Sequence, residues 1–264
     1  MAATLSVAIV ALNEEASLGR VLESVRWADE IVLVDSGSTD RTCEIAREYG
    51  ARAIVEPWRG YAAQKNYALE LCTKDWVLSL DADEEVSSEL AEEIRGVLAD
   101  PYALTGYFMP RRNLFLGRWM RHGGFYPDPK LRLFLLGTAY STGRDPHDRF
   151  EMKNNGMKDS VRVGRLRVGR LRGALIHHTY PTLTLYLEHM NRYSSVWNRV
   201  PGAVPRKFSL NAIVLRPLAT FIYNYFIRMG FLDGREGLLL HMYHAGYVSW
   251  KYAKAWEMGR TQNK

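Results

Sequence analysis

Short apolar runs alternate with stretches of helical periodicity over the first hundred residues of the chain. The apolar runs predict buried strands at residues 5–11, 31–34, 51–55 and 76–80. Between these runs apolar residues recur every three or four positions, which predicts helices. Strands and helices that alternate in this way predict an α/β fold, with a mostly parallel sheet and helices on both of its faces.

Local signals predict where these helices begin and end. Asn13 is a favourable N-cap residue, and Glu14 and Glu15 follow it where the helix dipole favours acidic side chains. Gly50 is predicted to end the second helix, and one of the serines at 87–88 is predicted to cap the fourth.

After residue 100 the pattern changes, first to strands and then to helices. Strands are predicted at residues 102–110 and 131–136, and the segment 111–130 between them is rich in arginine, glycine and aromatic residues. A structureless connection of that length is unusual and indicates function. From residue 182 the chain is helical and aromatic, with further helices around 210–229 and 236–258.

An immediate duplication occupies residues 163–172, where the unit Val-Gly-Arg-Leu-Arg occurs twice. Because the unit has an odd length, a continuous strand would swap faces between the two copies. A bulge or a longer hairpin with exposed arginines is therefore predicted. A local duplication without functional meaning is the alternative, and it is the interpretation we favour.

The composition is that of an ordinary globular protein, with 47% hydrophobic and 24% charged residues among 264. Cys43 and Cys72 form no obvious disulfide framework, which favours a reducing compartment. We expect no secretory signal before the first strand. No stretch of about 18 uninterrupted apolar residues occurs, so no transmembrane helix is predicted.

The net charge of +6 conceals two halves of opposite sign. Residues 1–110 carry 9 basic and 20 acidic side chains, and residues 111–264 carry 26 basic and 9 acidic ones. The acidic half is suited to a metal ion. The basic half is suited to phosphates, to an anionic lipid surface or to nucleic acid.

Two carboxylates, Asp81 and Asp83, follow the apolar run 76–80 at the end of its predicted strand. They are two residues apart and therefore lie on the same side of the strand, where they repel each other unless a cation lies between them. Mg²⁺ or Mn²⁺ prefers such oxygen ligands and usually also holds substrate phosphates. A simple strand-to-turn junction is the alternative. Asn13 and Asp35 also lie at strand ends, where parallel sheets bind ligands.

The first half of the chain contains the motifs 7–15 (VAIVALNEE), 34–40 (VDSGSTD) and 81–83 (DAD). With these motifs the chain resembles the family 2 glycosyltransferases of GT-A fold. The second half contains the motifs 126–128 (YPD), 131–134 (LRLF), 146–148 (PHD), 176–177 (IH) and 231–234 (FLDG). It resembles the bacterial lipopolysaccharide-core branch, which contains glucosyltransferases that act on the heptose region.

The resemblance implies a set of binding residues. Those expected at the nucleotide-sugar are Ala11, Asn13, Glu14, Asp35, Lys65, Asp81 and Arg132. Those expected at a divalent metal ion are Asp83, Asp81 and His177. Ala11 is apolar where relatives often carry a polar residue, so a contact there would come from the backbone. Arg112 is a further candidate, with Arg132, for steering the diphosphate or an anionic acceptor.

The family also implies a carboxylate base in the second half of the chain, which takes the proton of the acceptor hydroxyl. We assign this role to Asp148. Asp128 and Asp145 are competitors, and Arg149 is a candidate phosphate clamp. The alternative for Asp148 is a loop salt bridge with Arg144 or Arg149.

These inferences together predict a metal-dependent, inverting hexosyltransferase, which moves glucose from UDP-glucose onto a lipopolysaccharide inner core or a related glycan. Residues 1–180 would form the catalytic domain. Residues 181–264 would form a helical, aromatic-rich extension, which either associates with an anionic membrane surface or packs as a hairpin on the protein. The expected location is peripheral, on the cytoplasmic face of the inner membrane. The alternatives are a nucleotidyltransferase that acts on a sugar phosphate and a non-catalytic, basic nucleic-acid-binding protein.

Overall fold

The computed structural model of the protein describes residues 2–144, 147–153, 167–199 and 208–261. The chain divides into two compact units. The first is formed by Met1–Arg111 and Pro129–His177, and the second by Arg112–Asp128 and His178–Lys264. The assignment of residues 1–180 and 181–264 to two functional domains stays a prediction.

Strands and helices alternate in the first hundred residues, and strands followed by helices make up the rest of the chain, both as predicted. In chain order the strands are β1 (Leu5–Ala11), β2 (Glu30–Asp35), β3 (Arg52–Val55), β4 (Trp76–Asp81), β5 (Glu84–Val86), β6 (Gly106–Met109), β7 (Arg111–Phe115), β8 (Arg118–Trp119), β9 (Lys130–Leu135), β10 (Ala139–Arg144), β11 (His147–Met152), β12 (Val168–Arg170) and β13 (Leu175–Tyr180). The α-helices are α1 (Leu18–Ser24), α2 (Thr42–Glu48), α3 (Tyr61–Glu70), α4 (Ser88–Ala99), α5 (Leu183–Arg199), α6 (Arg216–Ile222) and α7 (Gly234–Thr261).

A sheet in the spatial order β12-β6-β9-β4-β1-β2-β3 forms the centre of the first unit. Strands β1 to β4 pair in parallel, β9 runs antiparallel to both β4 and β6, and β12 is parallel to β6. In its register, Ala11 lies opposite Asp35 and Val10 lies opposite Asp81. The carboxyl ends of β1, β2 and β4 therefore meet at one edge, as the strand-end residues predicted. We call this edge, with Asp81 and Asp83, the acidic edge.

Helices cover both faces of this sheet. Leu22 of α1 and Ile94 of α4 are fully buried with Leu78 on one face, while Ala68 of α3 packs with Val77 on the other. Complete burial of a leucine or isoleucine side chain stabilises the fold by about 1.5–3 kcal/mol, so these contacts fix the sheet from which the acidic edge projects. The predicted α/β class, with its mostly parallel sheet between helices, is confirmed.

The prediction that Asn13 caps the first helix is wrong. Helix α1 begins at Leu18 with Ser17 before it, and Asn13 has a φ of 55°. The Asn13 Oδ1 accepts a hydrogen bond from the backbone N–H of Thr39 at 2.8 Å. Asn13 therefore ties the loop after β1 to the loop after β2, a contact between distant segments that local propensity does not reveal.

Other local signals are confirmed. Gly50 adopts a φ of 77° just beyond α2, and the Ser87 Oγ accepts a hydrogen bond from the N–H of Leu90 at the start of α4. The segment 111–130 is structured and contains β7 and β8. In the second copy of the duplication, Val168–Arg170 forms β12 and Arg170 is exposed, as predicted, whereas residues 163–166 of the first copy lie outside the described residues.

The second unit is mainly helical, as predicted for its C-terminal part. Its core contains Phe115 and Met120 from the segment 112–128, packed with Tyr186 and Met190 of α5 and Leu240 of α7. Two π-helical turns, Asn211–Leu215 and Tyr223–Ile227, flank α6. Among the described residues, no helix has the length and apolarity needed to span a membrane.

Candidate functional site

Asp81 lies at the end of β4 between two buried cations. Its Oδ1 is 2.7 Å from the Lys65 Nζ, and its Oδ2 is 2.5 Å from the Arg132 Nη2. Burial alone would raise the pKa of Asp81, but the charges of Arg132 and Lys65 outweigh it and hold this pKa well below its usual range. Asp81 is therefore ionised, and both of its carboxylate oxygens are engaged.

Glu84 is a component of the site that the sequence analysis missed. Its Oε1 accepts hydrogen bonds from Arg132 and from Arg111, both at 2.9 Å, and its Oε2 accepts one from the backbone N–H of Asp81 at 3.1 Å. The Glu84 side chain is fully buried. The run of acidic residues 83–85 was the only sequence signal, and nothing local shows that one of its members is buried.

The charge network extends through Arg132, which is only 5% exposed. Burial lowers the pKa of this guanidinium, but Asp81 and Glu84 outweigh that effect and raise it above its usual value. Arg132 was predicted to meet the donor or its diphosphate. Its Nη2 contacts both carboxylates, so Arg132 supports the acidic edge, and its contact with the donor stays a prediction.

Asp83 and His177, predicted to bind a metal ion, lie together. The Asp83 Oδ2 is 3.1 Å from the His177 Nε2. Burial would raise the pKa of Asp83, but the adjacent His177 imidazole outweighs it and lowers this pKa. The pairing follows from β5 and β13, which run antiparallel with Glu84 opposite His177. This topology brings together residues almost a hundred positions apart.

Lys65 also contacts the predicted base. Its Nζ is 2.9 Å from the Asp148 Oδ2, so one ammonium group bridges Asp81 and Asp148. Asp148 lies on β11 and its side chain is 12% exposed. The next residue of α3, Asn66, exchanges two hydrogen bonds with the backbone of Ser141 on β10, at 2.7 and 2.9 Å. Helix α3 thus fastens the β10–β11 hairpin beside the acidic edge.

The predicted nucleotide residues lie at the ends of β1 and β2. The Asp35 Oδ2 accepts hydrogen bonds from the N–H groups of Gly37 and Ser38, at 3.0 and 2.8 Å, and Asp35 is 1% exposed. It therefore shapes its own loop. Ala11 is buried beside it, so any ligand contact there must use the backbone.

Glu14 faces the acidic edge from the loop after β1. Burial raises its pKa, the hydrogen bond from Ser17 opposes this, and the negative charges of Asp83, Asp40 and Asp81 add to the increase. The positions of Asp35, Ala11 and Glu14 surround the edge, but their contacts to a nucleotide stay predictions.

The competitors of Asp148 belong to different parts of the chain. Asp128 belongs to the second unit, as does Arg112, whose guanidinium lies over the Trp119 ring at 4.8 Å. Arg149 is 77% exposed and pairs with Glu151 at 2.7 Å. Asp145 lies outside the described residues. The observed ion pair of Asp148 is with Lys65, a partner that the sequence analysis did not consider for it.

The side chains at the acidic edge fit a divalent metal ion that shares its coordination with a substrate. Within the described ranges, no group of three His, Cys, Asp or Glu side chains could hold a metal ion by itself. Asp83 and His177 nevertheless offer a carboxylate oxygen and an imidazole nitrogen 3.1 Å apart. Mg²⁺ is typically held by one or two carboxylates together with substrate phosphates, so an incomplete protein shell is suited to a phosphate-bearing ligand.

Comparison with known proteins gives concordant results. Residues 6–171 match the family model described as glycosyl transferase family 2. The lipopolysaccharide core biosynthesis glycosyltransferase LpsC of Rhizobium meliloti is 32% identical over 261 residues, which cover 96% of this chain and 92% of LpsC. An uncharacterized glycosyltransferase of Rickettsia felis is 48% identical over 253 residues, which cover 91% of this chain and 85% of the relative.

Solved structures show a more distant likeness. A crystal structure of glucosyl-3-phosphoglycerate synthase from Mycobacterium tuberculosis, in complex with Mn²⁺, UDP-glucose and phosphoglyceric acid, is 28% identical to this chain. The match covers 42% of this chain and 44% of that one, with a TM-score of 0.37. A score this low transfers no ligand or geometry. The GT-A-type fold class follows from the family match and from the sheet described above.

Proposed function

The chain belongs to glycosyl transferase family 2, and on this premise we propose that it transfers glucose from UDP-glucose onto a lipopolysaccharide inner core or a related glycan. The similarity to LpsC along almost the whole length of both chains supports this acceptor class. We further propose inversion at the sugar carbon, and a peripheral location at the anionic cytoplasmic face of the inner membrane. Family membership favours glycosyl transfer over the nucleotidyltransferase and nucleic-acid-binding alternatives.

One observation carries the proposal. Five ionisable side chains lie at the acidic edge in two contact groups: Lys65 joins the strand-end carboxylate Asp81 to Asp148, and His177 contacts Asp83. Such an edge offers cation-binding oxygens, fixed positive charge and a further carboxylate within one cluster. These are the groups required to hold a nucleotide diphosphate and to accept a proton from an attacking hydroxyl.

In the proposed mechanism, Asp83 and His177 would hold the divalent metal ion. When bound, this ion supplies Lewis-acid stabilisation of the negative charge that develops on the leaving diphosphate. Lys65 and Arg132 keep Asp81 ionised and add positive charge near the same place. Asp148 accepts the proton of the acceptor hydroxyl. Both of its described contacts, from Lys65 and Ser141, are to Oδ2, so Oδ1 is the oxygen assigned to this proton.

The test is calorimetric titration of the protein with UDP in the presence of MnCl₂ and, separately, of EDTA. We expect binding that requires the metal ion and is lost in Asp83→Ala, together with a transfer rate lower by about 10²–10³-fold, the loss expected when one electrostatic stabiliser is removed. Glu92→Gln, an exposed change on α4, is the matched control and should bind as the wild type does. Metal-independent UDP binding, or none, would refute the metal assignment.

A screen of donor hydrolysis across nucleotide sugars identifies the sugar and the base. UDP-glucose is expected to be the preferred donor. A clear preference for another nucleotide sugar would replace the donor assignment and leave glycosyl transfer intact. Incubation with a sugar phosphate and a nucleoside triphosphate should give no nucleotide sugar, since formation of that product would revive the nucleotidyltransferase alternative.

A further inference from the structure

The helical stretch around α6 exposes a row of large apolar side chains at every fourth position. Its members recur every four residues and are each between 44% and 63% exposed. We call this row the apolar strip, and it consists of Leu210, Val214, Leu218, Ile222 and Phe226. Scattered exposed apolar residues are normal, but a contiguous row usually marks an interaction surface.

Another part of the same stretch is packed within the second unit. Pro217 is buried, and the Ser249 Oγ of α7 donates a hydrogen bond to the carbonyl oxygen of Ile213 at 2.8 Å. The stretch therefore has a covered part beside apolar side chains that are about half exposed. A helix that is apolar all round is normally buried, so the apolar strip lacks its covering partner.

The charges around the apolar strip indicate the nature of that partner. Between residues 208 and 232 the chain carries Arg216 and Arg228 and no acidic residue. Arg216 contacts the Tyr252 hydroxyl. These two residues line an open cleft of about 430 Å³ together with Tyr223 and Thr220. An arginine beside hydroxyl groups, next to an apolar surface, is suited to a phosphate group attached to an acyl chain.

We propose that the apolar strip inserts into the boundary between head groups and acyl chains of an anionic phospholipid bilayer, with Arg216 and Arg228 at the lipid phosphates. This rests on the proposed function in one respect, because an acceptor held in a membrane explains why the enzyme would bind there. A second copy of the chain fits less well. A symmetric contact through this surface would place the arginines of both copies around one interface without an acidic residue from 208–232 to offset them.

The first test is flotation of the full-length protein with vesicles of phosphatidylethanolamine and phosphatidylglycerol. The double variant Leu218→Ser/Ile222→Ser should partition about tenfold more weakly for each side chain changed, because each loses apolar area that is buried on insertion. Leu185→Ser is the matched control, since Leu185 is 49% exposed on α5 and outside the apolar strip, and it should bind as the wild type does.

The second test separates charge from apolar insertion. Arg216→Gln and Arg228→Gln should each weaken binding to the phosphatidylglycerol vesicles by about fivefold, while binding to pure phosphatidylcholine vesicles changes little. Arg26→Gln, on an arginine of the first unit with 73% side-chain exposure, serves as the charge-matched control. Equal losses for all three arginine variants would show general charge attraction and would overturn the assignment of the cleft.

The outcomes distinguish the apolar strip from the catalytic proposal. If Leu218→Ser/Ile222→Ser binds vesicles as strongly as the wild type does, the strip proposal is overturned. It is also overturned if light scattering shows that the wild type is a dimer and that this variant is a monomer. Binding of generic DNA with the same dependence on the strip would also overturn it. UDP titration of the same variant reports on the active site alone. Vesicle binding without UDP binding would refute the proposed function and leave the apolar strip standing.

Discussion

The acidic edge of the first unit and the apolar strip of the second depart from ordinary burial in opposite directions. At the acidic edge, Glu84, Arg132 and Lys65 are charged and at most 7% exposed. In the apolar strip, Leu218 and Ile222 are aliphatic and about half exposed. Charged residues are rarely buried without partners, and extended apolar surfaces are rarely left in water.

The two regions differ in where they find groups that offset the cost of this unusual burial or exposure. The buried charges find them inside the chain, since Asp81, Asp148 and Glu84 each contact a lysine or arginine nitrogen within 2.9 Å. The apolar strip finds none among the described residues. The acidic edge is therefore expected to depend on its own side chains for stability. The apolar strip is expected to depend on a binding partner from outside the chain. Substitutions in the two regions should therefore change different observables.

The largest effect is expected for Asp148→Asn in the charge network. Loss of the base should lower transfer by about 10²–10⁴-fold, while UDP affinity stays at the wild-type value because the amide preserves the shape of the side chain. Steady-state kinetics and UDP titration measure the two quantities. Glu151→Gln, also on β11, is the control and should retain activity. Normal turnover by Asp148→Asn would show that the base is another residue.

A smaller effect, on folding, is expected for Glu84→Gln. The change leaves Arg132 and Arg111 facing a neutral group in a buried place, and breaking a buried charge network costs about 3 kcal/mol of unfolding free energy. Urea denaturation followed by circular dichroism measures this loss. Glu92→Gln should stay within about 0.5 kcal/mol of the wild type. Equal stabilities for the two variants would show that the network contributes to function without supporting the fold.

The second unit has its own sensitivity to acid, at His241. Neither of its ring nitrogens has a hydrogen-bond partner among the described residues. Burial lowers its pKa from 6.5 to about 4, His244 adds to the decrease, and Asp233 opposes it. Because the folded state disfavours the charged form, this residue destabilises the fold as the pH falls from 6.5 toward 4, by about 2 kcal/mol near pH 5.

His241→Leu should remove this dependence. We expect the wild type to lose more thermal stability than the variant between neutral pH and about pH 5, in melts followed by circular dichroism. The comparison uses the slope with pH, so a constant packing cost of the substitution does not affect it. Parallel slopes for the two proteins would show that His241 is charged or hydrogen-bonded in solution.

The smallest effect is expected for the apolar strip itself. Leu218→Ser/Ile222→Ser should change the unfolding free energy by no more than about 0.5 kcal/mol for each exposed position. Leu78→Ala in the buried sheet provides the contrast and should cost about 2–5 kcal/mol. Urea denaturation in detergent-free buffer measures both. A loss of several kcal/mol for the strip variant would indicate that these side chains pack within the folded protein.

The sequence predicted those parts of the fold that depend on local periodicity. The strands and helices of the first hundred residues, and the ends marked by Gly50 and Ser87, follow from spacing, cap preference and the conformational freedom of glycine. A metal site of Asp81, Asp83 and His177 was expected from the family resemblance, and the contact between Asp83 and His177 follows from strand pairing. Asn13 was misassigned because its partner, Thr39, comes from another loop.

The partners of the charged residues could not be predicted in the same way. Glu84 is buried because β5 pairs with β13, which follows about ninety residues later. Arg132 was expected to face a ligand, but two carboxylates within 3 Å now occupy its Nη2. A charged residue has the same local signature whether it faces solvent, a ligand or another side chain. The choice among these is made by tertiary structure.

The attachment of the β10–β11 hairpin to helix α3 limits where this chain can tolerate insertions. Two successive residues, Lys65 and Asn66, hold Asp148 and Ser141 through side chains that leave one turn of the helix. Adding one residue to α3 ahead of Lys65 would rotate both by roughly 100° about the helix axis. The position of Asp148, the proposed base, thus depends on the rotation of Lys65 about the axis of α3. We therefore expect relatives to have no insertions or deletions at the start of this helix.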